Sequence, residues 1–97
     1  MKNQLTVFPT IFTVKNNNYN VEFIDLKWCT TFGISIQHAY EMAQNAMGLY
    51  LDNMTNFPKP TLDISKIKLE KNQFISYVSI NMDEYRKNIT TNQSKKL

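Results

Sequence analysis

The sequence predicts an α+β fold: a small antiparallel sheet with one long helix packed on one face, in the order β-β-β-α-β. Three observations carry this. From Ile36 to Met54 the apolar residues recur with a 3.6-residue period. Ahead of that stripe lie three short runs of β-branched and aromatic residues, divided by an asparagine triplet and ended by Gly33. Behind it, past Pro58 and Pro60, comes a fourth run of the same kind.

Residues 5–14 read as a strand that Pro9 either breaks early or confines to an edge, because proline has no amide to give a sheet ladder. Asn16, Asn17 and Asn18 tolerate the left-handed backbone of a tight turn and so mark a hairpin. In its second strand Tyr19, Val21 and Phe23 should face the core, and Asn20 and Glu22 water. Cys29 to Phe32 makes a third strand ending at Gly33. Ser35 offers its oxygen to the free amides of a helix start. The stripe that follows is Ile36, Ala39, Tyr40, Ala43, Ala46, Met47, Tyr50 and Met54, about five turns. Met42 and Leu49 widen it, and Gln37, Glu41, Gln44, Asn45 and Asp52 form the wet side. Pro58 and Pro60 stop the helix. Residues 61–71 should hold a loop or a short helical turn around Asp63–Lys66. Residues 73–80 are apolar on both faces, as in a central strand. Asp83 to Arg86 opens a brief terminal helix.

Ninety-seven residues exclude a two-domain enzyme, and a thin single core leaves little material for a deep catalytic cleft. Binding is the better expectation. The net charge of +3 is unevenly placed: residues 1–85 carry seven lysines against eight acidic residues, and 86–97 add Arg86, Lys87, Lys95 and Lys96 with no acid. The division expected is therefore a domain at 1–85 and a disordered basic polar tail at 86–97. One cysteine cannot form an internal disulfide, and nothing at the N-terminus reads as a secretory signal, so a cytoplasmic location without membrane attachment is expected.

The chemical inventory is sparse. Cys29 and the single histidine, His38, could in principle make a nucleophile and base, but a strand cysteine is ordinarily a small buried hydrophobe. Neither ligand spacing for a metal nor a glycine-rich phosphate loop occurs, and no catalytic residue or cofactor is expected. Sheet aromatics such as Tyr19, Phe23, Phe74 and Tyr77 could stack on bases, yet they alternate as core residues do and lack clustered lysines. Trp28, beside Lys27 in a loop-like stretch, is either buried or an interface anchor.

From Phe12 to about Tyr85 the sequence resembles the HicB family of antitoxins. Phe23-Ile24-Asp25-Leu26-Lys27-Trp28-Cys29-Thr30-Thr31-Phe32-Gly33 stands where members show a stretch close to F-P-D-L-P-G-C-x-T-x-G. Ser35 follows as the cap, then Ala39, Ala43, Ala46, Met47, Leu49, Tyr50 and Leu51 along the helix. Phe57-Pro58-Lys59-Pro60, Ile67-Lys68-Leu69, the 74–80 strand and Asp83-Glu84-Tyr85 keep the family's order. The resemblance implies a truncated ribonuclease-H-like fold and a non-enzymatic protein that occludes a small HicA-type mRNA-cleaving toxin. Members usually add a C-terminal DNA-binding module, which the twelve residues after Tyr85 are too few to form. Ile24, Lys27 and Trp28 replace two prolines and a glycine, so the turn is expected to take another shape. Gln37 and His38 replace acidic residues, removing the usual capping-box partner.

The expected partner surface is the 25–28 loop with the exposed flank of the helix. Glu22, Asp25, Glu41 and Asp52 would offer charge to a basic toxin, with Lys27 beside Trp28, the apolar anchor. The open sheet face and strand edges suggest a homodimer or higher oligomer. The alternative is a solitary, diverged domain of this fold that binds nucleic acid or another protein, with no toxin partner.

Overall fold

The computed structural model describes residues 5–87. In chain order it contains β1 (Thr6–Lys15), β2 (Asn18–Phe23), β3 (Thr30–Gly33), α1 (Ile36–Leu51), a 3-10 turn (Ile64–Lys66) and β4 (Gln73–Ile80). A helical segment follows at 82–87. The strands form one antiparallel sheet in the order β3-β2-β1-β4, and α1 packs on one of its faces.

Local chemistry explains most boundaries. Asn16 and Asn17 take φ of 53° and 67° between the paired Lys15 and Asn18. Two successive left-handed residues make a type I′ turn, whose twist matches a hairpin. Ser35 caps α1 by accepting the His38 amide at 3.1 Å. His38 in turn accepts the Ile34 amide on Nδ1 at 3.1 Å. The imidazole thus accepts from the residue before the cap and not from the Ser35 amide, so the usual capping-box bond is not formed. Asp63 caps the 3-10 turn through the Ser65 amide.

Pro9 sits inside β1, a strand with neighbours on both sides, and does not break it. The expectation of an edge is right only locally. Pairing with β2 begins at Thr10↔Phe23, so at Pro9 the strand has β4 alone beside it, and the missing amide is accommodated there.

The reading of β4 as a central strand is corrected: it is an edge strand. Its apolar character on both faces comes from Phe74 and Val78 inside and Ile75 beside Ile11 outside. The edge is shielded by α1. Tyr40 Oη accepts the Ser79 amide at 3.2 Å, and Gln44 donates to the Ser79 carbonyl at 2.9 Å. Gln44, expected on the wet side, is spent on this cap.

The core lies between sheet and helix. Phe8, Phe12, Val21, Phe23 and Val78 meet Ala39, Ala43, Met47 and Leu51, all buried, and Phe12 stacks on Phe74 with ring centroids 5.2 Å apart. Each large side chain buried this way contributes about 1.5–3 kcal/mol. Ile36 and Leu49, expected on the apolar face, are exposed, and α1 stops one turn before Met54.

At the far end of α1, Gly48 lets the Tyr85 ring lie on the helix: an added Cβ would stand 2.5 Å from Tyr85 Cε1. Arg86 then pairs with Asp52 at 3.1 Å and donates to the Asp52 carbonyl. Arg86, expected both in the terminal helix and at the start of the tail, and Lys87, assigned to the tail, belong to this helical segment; residues 88–97 lie outside the described residues. Gly48→Ala should gain helix propensity yet displace Tyr85. Hydrogen exchange should show 82–87 losing protection while the sheet keeps its own; unchanged protection would refute the packing argument.

Candidate partner-binding site

The loop between β2 and β3 is built by burying two of its residues and expelling two. Leu26 and Cys29 are 0% and 6% exposed and plug into the core, while Lys27 and Trp28 stand at the tip. The Cys29 amide donates to the Leu26 carbonyl at 3.0 Å, and the Phe23 amide to the Cys29 carbonyl at 3.1 Å, closing the loop.

This turn places Trp28 at φ 70°, a left-handed conformation that glycine adopts freely and a tryptophan does not. A 26-to-29 hydrogen bond with positive φ at the third residue is the pattern of a type II turn. The backbone keeps a glycine-like conformation, and the side chain bears the strain, about 1–2 kcal/mol. No contact among the described residues offsets it, since Trp28 is 88% exposed.

Asp25 holds the loop to the segment after α1. Its Oδ2 accepts the Thr61 amide at 2.8 Å and its Oδ1 accepts the Thr61 hydroxyl. Leu62, the next residue, is 89% exposed, so the clamp brings the segment carrying it beside the loop that carries Trp28.

The structure does not gather the six residues expected at a partner surface. Lys27 and Trp28 share the loop tip. Glu22 is exposed on the sheet face turned away from α1, and Glu41 is exposed on α1 itself. Asp25 and Asp52, expected to offer charge to a partner, hold Thr61 and Arg86. Leu62 escaped the sequence reading because it lies in a connector without periodicity; only its place beside a proline-rich stop marked it as a loop residue.

Cys29 and His38 are given separate structural tasks. Burial pushes the Cys29 thiol up to about 11, which keeps it protonated and poorly nucleophilic at neutral pH. The unfolded thiol ionises lower, so the folded state binds the extra proton as pH rises. Stability should therefore fall between about pH 9 and 11, and denaturant titrations of Cys29→Ala should show a shallower fall. Equal slopes would refute the shift. Among the described residues no group of three His, Cys, Asp or Glu side chains could hold a metal ion, and no helix is long and apolar enough to cross a membrane.

One chain of a solved toxin–antitoxin complex from Streptococcus pneumoniae is similar in structure, with a TM-score of 0.71 and 24% sequence identity over 84% of this chain and 73% of that one. No protein-family model and no curated protein matches the sequence. At this identity the likeness establishes the fold.

Proposed function

We propose that this chain is a HicB-type antitoxin that binds a small HicA-type mRNA-cleaving toxin and occludes its active surface without catalysis of its own. The observation that carries the reading is Trp28, a large apolar side chain held in a strained backbone and left 88% exposed. Strain without an internal return is characteristic of binding sites, and an exposed tryptophan is the commonest kind of interface anchor. The fold's likeness to a chain of a toxin–antitoxin complex supports the same reading. Trp28 with Leu62 supplies the apolar centre, and Lys27 part of the polar rim.

The test is co-expression of the full chain with the small reading frame adjacent to its own. Growth arrest by the neighbour alone, relieved by this chain and accompanied by co-purification, is the expected result. Binding that survives high salt fits an apolar interface. Failure to silence or retain any toxic neighbour overturns the proposal, and a gel shift with RNA or DNA that weakens steeply with salt supports the nucleic-acid alternative.

A further inference from the structure

Trp28 and Leu62 belong to different segments of the chain, and one pair of hydrogen bonds sets how those segments stand to each other. Asp25 accepts the Thr61 amide on Oδ2 at 2.8 Å and the Thr61 hydroxyl on Oδ1, across 36 positions of sequence. A carboxylate engaged through both oxygens is a strong, oriented acceptor. From Lys59 to Leu69 the other hydrogen bonds among the described residues join near neighbours: Asp63 with Ser65, and the Ile67 amide with the Ile64 carbonyl. Asp25 is thus the polar tie between this stretch and the 25–28 loop. Both exposed apolar residues sit close to that tie. Leu62 follows Thr61 directly, and Trp28 stands three residues after Asp25 on the turn shut by the Cys29–Leu26 bond. Chain geometry therefore keeps their Cα atoms within about 23 Å of each other. One side of a standard interface, about 800 Å², is about 30 Å across, so a single partner can span both.

We infer that Asp25 is a positioning residue of the partner site: by clamping Thr61 it holds Leu62 at a fixed separation from Trp28, so that a partner meets two apolar contacts already arranged. The inference rests on the toxin-binding reading for its partner and on the two hydrogen bonds for the clamp. Its physical basis is the cost of ordering. A segment that must be immobilised on binding subtracts from affinity, and one held beforehand does not. Pro58 and Pro60, each with φ fixed by its ring, stiffen the approach to Thr61, and the Asp63 bonds to Ser65 fix the turn just beyond Leu62. The clamp is the joint that sets this short piece against the loop. Asp25 then acts through Leu62 and not by offering its charge to the partner.

A double-mutant cycle on binding of the full chain to the product of the small adjacent reading frame tests it. Asp25→Asn keeps the size but accepts through one oxygen only, and should weaken binding about tenfold; in a Leu62→Ala background the same substitution should cost less than about twofold. An aspartate that served only the fold would cost the same in both backgrounds. Thr61→Ser keeps both donors and should bind as wild type. Thr61→Val loses the hydroxyl alone and should fall part of the way; should Asp25→Asn misfold, this variant carries the cycle. Trp28 is the single tryptophan of the chain, which gives a second readout without any partner. Time-resolved energy transfer from Trp28 to an acceptor dye on Leu62→Cys, with Cys29 shielded by burial, should report one narrow separation in the clamped chain and a broadened one with Asp25→Asn. Equal costs in the two backgrounds, or a separation indifferent to Asp25→Asn, overturns the inference and leaves the toxin reading standing. A clamp-dependent separation in a chain that retains no neighbour supports the clamp and overturns the toxin reading.

Discussion

Gly33→Ala is expected to remove about 3 kcal/mol of stability, a large share of the 5–15 kcal/mol typical of a domain. The reason is close approach and not backbone freedom, since Gly33 has no positive φ. A Cβ at this position would stand 2.5 Å from Ala39 Cα and closer still to the Ala39 nitrogen. Those are backbone atoms in the first turn of α1, tied by the Ala39 amide to the Ser35 carbonyl at 2.8 Å and by the neighbouring His38 amide to the Ser35 hydroxyl at 3.1 Å. They cannot swing aside as Tyr85 can at Gly48. Relief requires lifting the helix start off β3, which opens the core at Ala39 and Ala43. Equilibrium urea unfolding reads the effect directly, and a loss under about 1 kcal/mol would show that the helix start yields.

The second large effect has two opposite signs. Trp28→Gly should stabilise the isolated chain by about 1 kcal/mol, because glycine takes φ 70° without strain and no buried contact is lost. The same change should weaken the proposed toxin binding about thirtyfold or more, because truncating a central anchor typically costs at least about 2 kcal/mol of binding. Trp28→Ala separates the causes: it removes the indole but keeps a Cβ in the left-handed region, so binding should fall without the gain in stability. A tryptophan that served the fold would give the reverse, a less stable Trp28→Gly protein that still binds. Co-expression rescue and urea unfolding of both variants provide the two readouts.

The signals legible in the sequence were the local ones. Asn16 and Asn17 announced a left-handed turn, Ser35 a cap, and residues 73–80 a strand, because each depends on chemistry within a few residues. Relations between distant segments were not legible. That β4 is an edge, that Gln44 caps it and that Ile36 and Leu49 face outward all depend on where α1 crosses the sheet. The candidate site divided in the same way. Trp28 and Lys27 stood out as loop residues, whereas the engagement of Asp25 by Thr61 spans 36 positions and that of Asp52 by Arg86 spans 34.

The sequence by itself determined the α+β class, the order of elements and a domain body with almost no net charge, since periodicity, turn chemistry and charge count are properties of the chain alone. Only the tertiary structure decided which side chains remain available to a partner. A carboxylate or an apolar side chain is free only if no distant segment folds onto it: Asp25 and Asp52 were claimed in this way, while Trp28 and Leu62 were left to solvent.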